Sequence, residues 1–69
     1  MLTTFSVEEL RNAINLGQII VKSKLAMAAS YRKLGDKLTE DRYFAEATKV
    51  NRNLTSLQAQ LRLISSSIN

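Results

Sequence analysis

Apolar residues recur at alternating intervals of four and three between residues 43 and 68. This spacing follows one side of an α-helix, and the narrow stripe that it makes suits a single facing helix. The residues between are mostly polar, so the rest of this helix should face water. We call this set the heptad seam: Tyr43, Ala47, Val50, Leu54, Leu57, Leu61, Ile64 and Ile68.

Capping signals mark the ends of two helices. Ser6 and Glu9 have the spacing of a capping box, and Gly35 supplies the left-handed residue that often ends a helix. Thr39 is a good cap for the second helix, and Asp36 competes with it. The predicted segments are a helix near 7–34, a turn near 35–39, a helix near 40–65 and a frayed tail at 66–69.

So short a connection forces the two helices to lie antiparallel. The chain has 69 residues, no proline and only two glycines, which favours one domain made of long helices. A domain of this size has a marginal core, and without cysteine it cannot add a disulfide. We therefore predict an all-α, antiparallel, coiled-coil-like two-helix hairpin that completes its core by oligomerisation or by binding a partner.

Two expectations concern where the helices pack. Leu54, Leu57 and Leu61 should be the most buried residues of the second helix, because they occupy the middle of the heptad seam. Gly17 lies on the facing side of the first helix, where glycine costs roughly 1 kcal/mol relative to alanine. It either permits close approach of the second helix, near Leu57 or Leu61, or forms a flexible point.

The first helix carries more apolar surface than a hairpin needs. Its own seam, from Val7 to Tyr31, is interrupted by Lys24, whose amine must reach water or find a polar partner. A further row lies beside that seam, and together the two cover about half of the helix, where packing on one helix needs about 100°. We call this row the apolar strip: Ala13, Leu16, Ile20, Met27 and Leu34.

An apolar surface left in water usually marks an interface. We therefore predict that the apolar strip binds a helical protein partner or a second copy of the chain. The alternative is that residues 1–5 shield the strip. So short an arm covers little of the strip, whose part from Leu16 to Leu34 alone is about 27 Å long at the helical rise per residue.

The net charge of +4 raises the question of nucleic-acid binding. Acidic residues lie near the helix starts and basic residues further along, an arrangement that the helix dipole favours without any ligand. However, Arg11, Lys22 and Lys33 are spaced by eleven residues, which places them on one side of the helix, with Arg32 nearby. We call these four residues the basic face. A dimeric hairpin that tracks phosphates with this face, as in the RNA-binding plasmid copy-number protein Rop, is the alternative function.

The residue types present argue against catalysis. Without histidine or cysteine, the chain lacks the commonest general base, thiol nucleophile and metal ligands. Its adjacent acids, Glu8–Glu9 and Glu40–Asp41, are better explained by capping. We expect no enzyme activity, no cofactor or metal, and no small-molecule substrate.

Nothing in the sequence predicts a membrane span or a signal peptide. The longest strongly apolar run, at 19–21, is far shorter than the roughly 20 residues that cross a bilayer. Residues 1–5 lack the basic start and apolar block of a signal peptide. We therefore expect a cytoplasmic protein.

Parts of the sequence resemble known small hairpins. Leu-Ala-Met-Ala at 25–28, Tyr-Arg-Lys-Leu at 31–34, and Arg-Tyr at 42–43 before a leucine-rich helix resemble the YscE-like co-chaperones of type III secretion needle subunits. That resemblance implies a helical-repeat chaperone as partner, an aggregation-prone needle subunit as cargo, and no catalytic residues. Tyr-Phe at 43–44 with Ala-Thr at 47–48 resembles part of a sporulation kinase inhibitor, so a small regulatory inhibitor of a host or kinase protein is a further alternative.

Overall fold

Helix α1, Val7–Lys33, begins with the predicted capping box in the computed structural model, which describes residues 6–68. The Ser6 hydroxyl accepts a hydrogen bond from the Glu9 amide at 3.1 Å, and the Glu9 carboxylate accepts one from the Ser6 amide at 3.1 Å. These bonds satisfy two amides that a helix start leaves without partners.

The end of α1 is a Schellman motif. The amide of Asp36 donates to the Tyr31 carbonyl at 3.0 Å, and the amide of Gly35 donates to the Arg32 carbonyl at 3.1 Å. Gly35 has a φ of 79°, a conformation that side chains with a Cβ rarely adopt. The predicted glycine stop is therefore confirmed, and Leu34 becomes the capping residue of α1.

Helix α2, Lys37–Ile68, begins about three residues earlier than expected. The Asp36 carboxylate accepts hydrogen bonds from the Thr39 amide at 3.1 Å and from the Thr39 hydroxyl at 2.7 Å, so Asp36 is the cap. Asp36 directly follows Gly35, and its carboxylate reaches both Thr39 donors. The chain therefore passes from the end of α1 into α2 without a longer loop. The helix also continues past residue 65 to Ile68, over part of the segment that was predicted to be a frayed tail at 66–69. The serines at 65–67 keep the backbone N–H that proline lacks, so nothing there stops the helix.

The two helices pack along their length as an antiparallel hairpin, which confirms the predicted fold class. Within residues 6–68 there is no strand. Neither described helix combines the length and apolar character that a membrane crossing requires.

The core follows both predicted seams, although the most buried positions of α2 differ from the prediction. Leu54 is buried, but Leu57 and Leu61 are only half-buried, whereas Ala47 is 4% exposed. A leucine projects further than an alanine, and Leu57 borders an open depression, so its outer atoms stay in water. The buried residues are Leu10, Ile14, Gly17, Ala28, Ala47 and Leu54.

Gly17 marks a close approach of the helices, opposite Leu54 and not opposite Leu57 or Leu61. A Cβ placed on Gly17 would lie 3.0 Å from Leu54 Cγ, closer than ordinary van der Waals contact. The side chain of Leu54 therefore occupies the space that any larger residue at position 17 would need. This contact accounts for a glycine in the middle of a helix.

Stability should fall in acid partly through Asp36. Hydrogen bonds from the hydroxyl and then the amide of Thr39 lower the pKa of Asp36. A carboxylate whose pKa is lower in the folded state contributes stability above its unfolded pKa, and this contribution disappears as the pH falls through the folded value. Melting temperatures of wild type and Asp36→Asn should therefore converge as the pH is lowered from about 6 to about 2. Asparagine caps as well as aspartate, so a parallel decline of the two proteins would contradict this assignment.

Candidate functional site

The apolar strip lies on the surface of α1, as predicted. Leu34 is 77% exposed and Leu16 is 61% exposed, and Ile20 and Met27 are also exposed, while Ala13 is half-buried. At 100° per residue these side chains lie about a quarter turn from the residues that face α2. The strip thus runs beside the core and leaves apolar side chains in water.

One end of the apolar strip borders an open depression with a volume of about 320 Å³. Its α1 lining includes Glu9, Asn12, Ala13 and Leu16, which have the i, i+3, i+4, i+7 spacing of a hole in coiled-coil packing. Buried Leu10 and half-buried Leu57 also line it, and most of its surface is apolar. The depression can therefore accept one apolar side chain from another helix.

Lys24 has the polar partner that its position required. Its Nζ lies 2.6 Å from Glu46 Oε1 and 5.5 Å from the centroid of the Tyr43 ring, which stacks on Tyr31 with centroids 5.6 Å apart. The hydrogen bond that the Lys24 ammonium donates to the Glu46 carboxylate raises the pKa of Lys24. The interruption of the α1 seam is therefore satisfied at the edge of the hairpin, on the side that carries the apolar strip.

Ile19 is a surface residue that the predicted strip did not include. It is 63% exposed and neighbours Ile20 and Leu16 on the helix surface. Its position, far from the α1 seam, gave no signal of core packing, and a lone exposed isoleucine is unremarkable. Beside the apolar strip, however, it widens the apolar surface in the middle of α1.

The basic face is exposed on another side of α1. The side chains of Arg11, Lys22 and Lys33 lie in water, and Arg32 is 79% exposed with its Nε 3.9 Å from Glu40 Oε2. A shallow depression beside Lys22 is lined by both apolar and polar side chains. These cations could contact phosphates, but they also have the geometry of an ordinary solvated face.

The part of the chain from residue 6 to residue 68 contains no cluster of three or more acidic, histidine or cysteine side chains that could hold a metal ion. The proposed shielding by residues 1–5 concerns a segment outside the described residues. Two surfaces of the described hairpin could bind another molecule: the apolar strip with its depression, and the basic face.

No protein-family model, curated protein or solved structure matches this chain. The likeness to YscE-like co-chaperones therefore stays a prediction that depends on residues 25–34, on Arg-Tyr at 42–43 and on the leucine-rich helix that follows.

Proposed function

We propose that this protein is a small cytoplasmic adaptor or co-chaperone, and not an enzyme, that binds a helical protein through the apolar strip. The observation that carries the proposal is the exposure of Leu16, Ile20, Met27 and Leu34 along one side of α1. Burying exposed apolar side chains is the main driving force of protein association. A type III secretion needle subunit, held together with a helical-repeat chaperone, is the specific client that the YscE-like resemblance suggests.

The depression supports a helical partner in particular. A surface quartet with coiled-coil spacing accepts a side chain that projects from another helix. Beside the strip, the contact of Lys24 with Glu46 supplies a charged rim. An apolar centre with a polar edge is the usual composition of a protein interface.

Salt dependence separates this proposal from nucleic-acid binding. Apolar association should change little with salt, whereas each phosphate contact adds nearly one unit to the slope of log affinity against log salt concentration. We would immobilise the full chain, capture partners from native lysate at about 50 and 500 mM salt, and identify them by mass spectrometry. A protein partner should persist at high salt and be lost only when the strip is charged.

The matched control removes three cations of the basic face: Arg11→Ala, Lys22→Ala and Lys33→Ala. On our proposal this variant captures the same protein partner as wild type. Fluorescence anisotropy with labelled duplex RNA and DNA tests the alternative directly. Salt-sensitive duplex binding that this variant loses and the strip variant keeps would favour the nucleic-acid function and contradict the adaptor.

A further inference from the structure

The apolar strip has a projection at one end and a depression at the other. Leu34, at the end of α1, is 77% exposed, and the depression between Glu9, Asn12, Ala13 and Leu16 lies near the start of α1. Both features lie on the same side of α1. Such a surface is self-complementary when two copies meet antiparallel, because each projection then meets the depression of the other copy.

We propose that the occupant of the apolar strip is a second copy of this chain, paired antiparallel through α1 about a two-fold axis near Ser23. This inference rests on the proposed function of the strip as a helix-binding surface: a second copy occupies the strip when no client is bound, and a client helix displaces it. In this pairing Leu34 of the second copy enters the quartet Glu9, Asn12, Ala13 and Leu16, where Ala13 leaves space for it. A large side chain therefore meets a small one at both ends.

The same register fits the middle of the strip. Counting along both helices, Met27 of the second copy enters the quartet formed by residues 16, 19, 20 and 23. That quartet contains Leu16, Ile19 and Ile20, which are all exposed in the single hairpin. The pairing thus covers Ile19 as well as the predicted strip, and Ser23 at the axis is small enough for close approach.

The available area is sufficient for a stable dimer. The apolar strip lies about a quarter turn from the residues that face α2, so two copies that pair through it lie face to face and their α2 helices become neighbours too. The contact then spans the 21 Å width of the whole hairpin and the length of α1, about 40 Å at about 1.5 Å per residue. A face of this size offers about 800 Å² per copy, the usual contribution of each partner in a stable complex. Two hairpins joined in this way form a four-helix bundle, an arrangement that gives each helix two neighbours.

Sedimentation equilibrium of the purified full chain tests the dimer. The chain mass is 7.7 kDa, so we expect a species of about 15 kDa at micromolar concentration. Leu34→Glu should weaken dimerisation by at least about 100-fold, because each dimer loses two buried projections. Leu63→Glu is the matched control, since Leu63 is 70% exposed on the side of α2 opposite the heptad seam; it should weaken dimerisation by less than about threefold.

Disulfide trapping tests the register, since the natural chain has no cysteine. Ala13→Cys and Leu34→Cys proteins, mixed and oxidised, should form mainly the mixed disulfide. Ala29→Cys, on the far side of α1, should trap little dimer. Predominant Ala13→Cys or Leu34→Cys homodimers would overturn the antiparallel register.

A wild-type monomer up to about 1 mM would overturn the dimer, as would equal effects of the two glutamate variants. The adaptor proposal would survive a monomeric result if the strip still captured a different protein. The adaptor proposal would fail if charging the apolar strip left the capture of that protein unchanged. The two failures are therefore distinguishable.

Discussion

Replacing Leu54 with alanine should destabilise the protein by about 2–5 kcal/mol, the range observed for buried leucines. Leu54 is 5% exposed and packs against Gly17, which has no side chain to move into the space that the substitution leaves. A domain of 69 residues has only a few kcal/mol of stability to lose. We therefore expect the Leu54→Ala protein to be largely unfolded at room temperature.

Urea unfolding followed by circular dichroism measures this effect, at one protein concentration because association adds apparent stability. Leu38→Ala is the matched control in the same helix, since Leu38 is 77% exposed. It should change the free energy of unfolding by less than about 0.5 kcal/mol. Equal losses in the two proteins would show that the two helices do not pack through Leu54.

Charging the apolar strip should abolish association and leave the fold intact. Leu16→Glu combined with Met27→Glu places two carboxylates where the interface would exclude water, and burying an unpaired charge costs several kcal/mol. Both side chains are exposed in the single hairpin, so helicity should be nearly unchanged. We expect binding through the strip to weaken by at least about 100-fold, measured by sedimentation and by capture of any protein partner.

The control for added negative charge is Leu38→Glu combined with Leu63→Glu, which alters two exposed leucines outside the apolar strip. This protein carries the same net charge as the strip variant, so a general electrostatic effect would weaken both equally. Normal association of the strip variant, with intact helicity, would remove the support for the adaptor function.

The sequence was sufficient to predict the hairpin, because several local signals agree. The capping box at Ser6, the stop at Gly35 and the heptad seam are each determined by near neighbours or by helical periodicity. The first two are confirmed, and so is the seam as far as Ile64; the side chain of Ile68 lies outside what the structure describes. The start of α2 was wrong by about three residues, because two good caps, Asp36 and Thr39, compete. Asp36 is chosen because it accepts both hydrogen bonds of Thr39.

The sequence predicted which residues lie on the packed side of each helix better than it predicted how exposed each of their side chains is. Periodicity tells which side of a helix faces its neighbour but not how completely the neighbour covers each residue. Ala47 is therefore more buried than Leu57, and the residue opposite Gly17 is Leu54. The apolar strip was predicted from surplus apolar width, but the depression beside it depends on how Leu57 projects from α2. The position of Leu57 beside α1 follows from how far the two helices are shifted along each other, which sequence periodicity does not give.

The contact between Gly17 and Leu54 has a consequence for how this sequence can change over evolutionary time. A methyl group at position 17 meets Leu54, and a shortened side chain at position 54 leaves a void, so either substitution made first is disfavoured. When both substitutions are present, the methyl group added at position 17 occupies part of the void left at position 54. Each substitution then changes from destabilising to stabilising once the other is present. Descendants of this chain should therefore exchange the two residues as a pair, and a variant with only one exchange is a poor evolutionary intermediate.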